Sequence, residues 1–245
     1  GINRNRTSIV INTSGVASTT PATYACNLNG NIVYNEAGDG QNIPCAYLSW
    51  ADLGAWLDWA GLRPMSDLEF EHICRGPIGR VAGEYVWGNV AITQQAVTWS
   101  GVNNSGLVNE TPPGSNCCYG WNNGCNVDNN TNGGYRVGSF AQAATTRITA
   151  GAAYYGVMEM GGNLWERIVS VIANGITFNE TDLGDGVLAV NGDANEGTWP
   201  APATALGTGL RGGSYITAAT TVRTSDRSQA TTVVTTRDCD KGGRG

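Results

Sequence analysis

The chain has little of what most acid–base chemistry and most charge-driven binding require. It holds one histidine, His72, in 245 residues. A Ser–His–Asp or Cys–His arrangement therefore has a single candidate base. Lys and Arg total 14 against 20 Asp and Glu, a net charge of -6, so no basic face is expected for nucleic acid. No apolar stretch approaches the roughly 18 residues needed to cross a bilayer. No transmembrane segment is expected, and no basic-then-apolar leader opens the chain, as in a cytosolic or a mature secreted protein. There is no C-x-x-C or Cys/His cluster to hold zinc. Charged residues are only 14% of the chain while Gly contributes 35 residues, which reads as a loop-rich fold with a neutral polar surface.

What is present begins with seven cysteines. Cys26 and Cys45 flank a turn-rich segment and are expected to close a small loop. Cys117, Cys118 and Cys125 sit in a Gly/Asn-rich stretch, where a bridge from Cys125 to Cys117 or Cys118 would replace missing core packing. Cys239 could reach the spare member of the Cys117-Cys118 pair. Cys74 is left over and reads as a buried thiol. Such bridges favour an extracellular or cell-surface location. Sequons at Asn5, Asn12, Asn103, Asn109, Asn129 and Asn179 matter only if the host glycosylates them.

Residues 1–20 form an N-terminal strand, linker or assembly arm, with Ser8–Ile11 as a short β-type run that a neighbouring subunit could pair. Residues 21–245 read as one domain. Ser49 with Asp52, and Ser66 with Glu69, have capping-box spacing, so two helices are expected. Trp50, Leu53, Trp56, Leu57 and Ala60 would share the buried face of the first; Leu68, Ile73 and Cys74 that of the second, with Met65 and Phe70 as a staple. Gly61 and Gly76 can end them. Gly83 to Arg147 reads mostly as loop, anchored by Trp87, Trp99 and Trp121. A strand and then a turn are expected over 154–172, and a central strand pair over 208–227 with Arg211-Gly212-Gly213 entering it.

Met158-Glu159-Met160-Gly161-Gly162-Asn163-Leu164-Trp165-Glu166 resembles the signature "D-M-x-G-N-V-W-E-W" of the formylglycine-generating enzyme (sulfatase-modifying factor) family. Other landmarks of that family follow the same order: Arg63-Pro64-Met65-Ser66-Asp67-Leu68-Glu69-Phe70-Glu71, Tyr85-Val86-Trp87-Gly88, and Leu210-Arg211-Gly212-Gly213-Ser214-Tyr215. The resemblance implies an α+β, C-type-lectin-like fold with a small twisted antiparallel sheet, two helices and extensive loops. Periodicity alone says α+β with few helices.

The oxidase of the family is implied to use two copper-binding cysteines shortly after "R-G-G-S-Y". Here Thr217 stands at the first, and no cysteine follows before Cys239. Threonine offers no thiolate to soft Cu(I), so no copper is expected and the chain reads as a non-enzyme. Related sulfoxide synthases bind iron through three histidines, which this chain does not have. The signature loop implies a structural calcium ion held by Glu159, the carbonyls of Gly162 and Leu164, and Glu166. The alternative is that Glu159 and Glu166 pair with Arg147, Arg167 or Arg211. Asn191, Asp193 and Asn195 alternate like half a calcium loop, but Pro202 stands at the closing position, which favours Asx-turns.

Cysteine-less relatives with a Gly-Gly-Arg-Gly end, such as Gly242–Gly245, occur in bacterial surface proteins and in retroelement-diversified binding proteins. By that resemblance the ligand surface lies among Tyr215, Thr217, Thr220, Thr221, Thr232, Thr235 and Arg237, facing an extracellular protein or a glycan. Ion pairs of Arg223, Asp226 and Arg227 are the plainer reading of that region. The expected function is a non-catalytic ligand-binding, adhesive or structural surface module. The rivals are a self-assembling homo-oligomer or filament subunit, and an enzyme with a metal-assisted site at Glu159/Glu166.

Overall fold

The computed structural model describes residues 9–16, 19–94, 114–120, 134–171 and 177–245. Trp99, Trp121, Cys125, Ser8 and the sequons at Asn5, Asn103, Asn109 and Asn129 lie outside the described residues.

Both helices form where their caps predict. Helix α1 is Trp50–Trp59 and helix α2 is Asp67–Arg75, each opened by a complete capping box, Ser49 with Asp52 and Ser66 with Glu69. Met65 and Phe70 are both buried, as a staple requires. Trp56 and Leu68, expected in the core, are instead exposed. On α1 the buried arc is rotated toward Gly54 and Asp58. The reason is an acidic loop packed on that side: a Cβ on Gly184 would lie 2.3 Å from Asp58 Cα.

Among the described residues the strands are short and lie in two antiparallel pairs. Strand β1 (Ile9–Thr13) pairs with β2 (Thr23–Cys26), with an irregularity between Ile11 and Thr13. The β1 run therefore pairs within its own chain, with β2. Strand β3 (Glu166–Val169) pairs with β4 (Thr208–Arg211), Glu166 opposite Arg211. Every residue of β3 and β4 is buried. Over 154–172 the turn precedes the strand, the reverse of the expected order. Likewise Arg211-Gly212-Gly213 leaves a strand and does not enter a pair. Gly212 and Gly213 have φ of 86° and 71°, which ends β4 at once.

Among the described residues the core is three apolar clusters, and one segment feeds all of them. Met160 and Ile168 join Phe70, Val86, Trp87 and Val222. Leu164 joins Tyr135, Phe140, Tyr215 and Cys239. Val169 joins Trp50, Leu53, Leu57 and Trp199. Trp87 is buried, as an anchor should be. The signature segment is thus the hub between α1, α2 and the loops. The described elements are mixed, two α-helices and two small sheets, an α+β composition. No helix among the described residues is long and apolar enough to cross a membrane.

Candidate functional site

Asn163, at φ 65°, fixes the signature loop. Its side-chain oxygen accepts from Tyr135 N–H at 2.8 Å and its amide donates to Tyr135 O at 3.1 Å. Its backbone N–H bonds Cys118 O, and its carbonyl accepts from Tyr215 N–H. Gly162 N–H bonds Gly212 O, and a Cβ at Gly162 would sit 2.4 Å from Cys118 O. Glycine is therefore required for the loop to reach the Cys117-Cys118 strand of chain.

The expected calcium ligands Glu159, Gly162, Leu164 and Glu166 lie together on this loop, all buried in part or in full. The arginines expected to pair with these carboxylates direct their side chains elsewhere. Arg147 donates to the carbonyls of Cys74 and Val86. Arg211 binds Asp67 Oδ1 and Thr224 O and lies over the Phe70 ring. Arg167 donates to the carbonyls of Leu48, Val234 and Thr236 at 2.9, 2.7 and 3.1 Å. The cation on the loop is Arg244, bonded to Glu166 Oε1 through Nε at 2.8 Å and Nη2 at 2.5 Å. Burial pushes the Glu159 carboxyl up to about 7, against the Gly138 N–H and the Arg244 and Arg136 charges that pull it down.

A second feature opens beyond β4. A cleft of about 640 Å³ is lined by Thr217, Thr221, Thr232, Thr235, Thr236 and Gln229 on its polar side. Trp165, Leu210, Val233 and Val234 supply its apolar surface, with Asp238 and Lys241 at one end. Arg167 holds the 234–236 wall from inside, through the two carbonyls named above. Thr217 Oγ1 accepts from Ser214 N–H at 2.8 Å and donates to Ser214 O at 3.0 Å. Lys241 Nζ is paired with Asp238 and Asp240 at 3.0 and 2.8 Å, so the charges at that end offset each other.

Of the ligand-surface residues expected from sequence, Thr217, Thr221, Thr232 and Thr235 meet in this cleft. Tyr215 does not: it is buried, and its hydroxyl donates to Cys239 Sγ at 3.1 Å. Thr220 is exposed on a short 3-10 helix, Ala219–Val222, away from the lining. Arg237 turns to helix α1, where its Nε and Nη2 bond Asp52 at 2.7 and 2.6 Å. Gln229, Trp165 and Lys241 were not expected; no spacing in the sequence links them to the threonines. Arg227 does form the anticipated ion pairs, with Asp67 and Glu71.

The cysteines depart from expectation. Cys26, Cys45, Cys74, Cys117 and Cys118 are thiols, so the Cys26–Cys45 bridge and a bridge to Cys117 or Cys118 are not formed. Cys45 directs its sulfur to Ala46 O and Cys117 to Gly161 O, each at 3.5 Å. Cys74 is a buried thiol, as read, and Cys239 is disulfide-bonded. The acidic loop forms Asx-turns, with Asp185 accepting from Val187 N–H and Asn191 from Asp193 N–H. Carboxylate oxygens of Asp58, Asp185 and Glu196 lie within 4.8 Å of one another there.

The order of these landmarks matches a known domain: the profile of the sulfatase-modifying factor enzyme 1-like domain covers residues 24–239. The chain belongs to that family. It is also similar to the formylglycine-generating enzyme of Thermomonospora curvata, 28% identical over 129 residues. That match takes in 52% of this chain and 33% of the enzyme, so the chain spans about a third of its relative's length. The threonine-lined cleft follows directly on the Arg-Gly-Gly-Ser-Tyr landmark of the sulfatase-modifying factor domain.

Proposed function

We propose that this sulfatase-modifying factor domain is a non-catalytic, extracellular ligand-binding module on a C-type-lectin-like scaffold. One observation carries the reading. Thr217, at the place where the family resemblance puts a catalytic cysteine, lines the cleft with its hydroxyl committed to Ser214. An alcohol bonded in this way is a positioning group, not a soft metal ligand. The surrounding threonines, a glutamine and the Trp165 edge offer hydroxyl bonding and an apolar wall. That combination suits a neutral glycan or a polar loop of another protein. The disulfide at Cys239 supports an oxidising location.

Assembly is the second reading. The β1–β2 ribbon exposes Ile9, Ile11 and Tyr24, at 54%, 57% and 66%. Their burial in a homo-oligomer would favour association. Light scattering on the full chain and on a chain lacking residues 1–16 separates the two, since a monomer in both cases removes the assembly role. A metal-assisted enzyme at Glu159/Glu166 has least support, because a guanidinium already holds Glu166.

The test of the main reading is direct. Purified protein is incubated with copper, oxygen and a peptide carrying the family's cysteine motif, and the peptide is followed by mass spectrometry. Its cysteine is expected to stay unchanged. Formylglycine formation that disappears in Cys239→Ser would overturn the non-catalytic assignment.

A further inference from the structure

The glycine-rich tail is not used by the cleft, yet it is among the most tightly fitted segments of the chain. Trp165 N–H bonds Asp240 O, and Gly242 N–H bonds Trp165 O, at 2.9 and 3.0 Å. Lys241 bridges Trp165 in parallel register. A Cβ on Gly243 would lie 2.4 Å from Leu53 Cδ2, and one on Gly242 3.0 Å from Leu164 Cδ1. The absence of side chains at Gly242 and Gly243 lets this stretch lie close against Leu53 of α1 and Leu164 of the signature loop. What it delivers there is the Arg244 side chain.

The two carboxylates implied to hold calcium are already engaged by protein donors in this chain. Glu166 Oε1 already accepts two Arg244 N–H groups. Arg244 Nη2 also lies 3.4 Å from the Glu159 carbonyl. The Glu159 carboxylate faces the Gly138 N–H, 3.2 Å from each oxygen. Calcium takes six to eight oxygens at about 2.3–2.6 Å. A divalent ion among these groups would displace a charge-assisted fork or face a guanidinium a few ångströms away.

We propose that Arg244 is the built-in cation of the signature loop, standing where the family resemblance puts calcium, so that the loop closes without metal. The tail thereby acts as a tethered counter-ion for the buried Glu166 carboxylate and reaches the Glu159 carbonyl with the same guanidinium. This inference does not depend on what occupies the threonine-lined cleft.

The full chain is dialysed against calcium, its metal content measured by plasma mass spectrometry, and its Tm recorded with calcium or with excess EDTA. The native chain is expected to hold far less than one calcium per chain, with the same Tm in both buffers. Arg244→Met is expected to melt lower in EDTA and to recover on adding calcium in a saturable way. The same substitution combined with Glu166→Gln should melt low and ignore calcium. One calcium per native chain, or a native Tm that drops in EDTA, overturns the proposal. So does a folded Arg244→Met that melts like the native chain or shows no calcium response. If Arg244→Met does not fold, the metal content and EDTA response of the native chain still decide.

Discussion

Arg211 and Thr217 stand six positions apart, yet they belong to regions built on opposite principles. Around Arg211 the chain is a frame. All of β3 and β4 is buried, and a Cβ on Gly209 would meet Ala230 O at 2.0 Å. Its polar groups bond across the sequence, Arg211 to Asp67 and Arg167 to Leu48. Around Thr217 the chain is a rim. Its residues are small, half-buried or exposed, and its side-chain bonds stay local, Thr217 to Ser214 and Thr221 to Ala218. A frame of long-range bonds fixes where the rim sits. A rim of local bonds can change residues without loosening the frame. That separation is what a binding surface with variable chemistry requires.

The sharpest way to break the frame is at its buried ion pair. Arg211→Ala leaves Asp67, buried at α2, with only the half-exposed Arg227 guanidinium, 3.3 Å away. The expected cost is about 3 kcal/mol, because the buried carboxylate loses its buried partner. Urea unfolding should show the midpoint falling accordingly. Replacing both partners, Arg211→Met with Asp67→Leu, should recover much of that loss. A cost under about 1 kcal/mol for the single change would remove Arg211 from the frame.

Much of the frame was legible in sequence, and the reasons are local. The capping boxes at Ser49 and Ser66 depend on residues three apart, so their chemistry is visible without a fold. The faces of the helices were less so. Trp56 follows helical spacing but lies outside the buried arc of α1, because a loop more than a hundred residues away packs on the side of Asp58. The counter-ion of Glu166 was invisible for the same reason: Arg244 is 78 positions further on. In the cleft, Thr217 and Thr221 could be found from the landmark before them. Arg237 was misplaced because nothing local announces its bond to Asp52. The cysteines were read by proximity in sequence, whereas side-chain direction decides whether sulfurs meet.

Where frame meets rim, a smaller effect is expected. Arg237 pins the end of the rim to Asp52 of helix α1. Burial tends to raise the Asp52 carboxyl, but the Arg237 fork and the Ser49 hydroxyl and N–H outweigh it and bring it down to about 2. Its folded value is thus below its unfolded one. The stability it supplies is present above about pH 4 and is lost as the pH falls toward 2. Asp52→Asn should therefore flatten the decline of the urea midpoint between about pH 4 and pH 2. The Arg237 side of the pair is exposed, so the gain at neutral pH is small and shrinks with salt. An unchanged pH slope would separate rim from frame at this point.

The least effect on stability belongs to the rim itself. Thr232→Ala and Thr235→Ala remove hydroxyls that face the cleft from a wall held by its backbone through Arg167. Each should change stability by no more than about 0.5 kcal/mol, since neither leaves a buried group unsatisfied. Thr217→Val is graded between the regions. It takes an acceptor from Ser214 N–H and a hydroxyl neighbour from Thr221, 2.8 Å away, so about 1 kcal/mol is expected. If the cleft is the binding surface, the alanine variants weaken glycan- or protein-array binding by the native chain while their urea midpoints stay in place. Loss of binding and stability in parallel would instead make these threonines part of the frame, and the division drawn between Arg211 and Thr217 would fail.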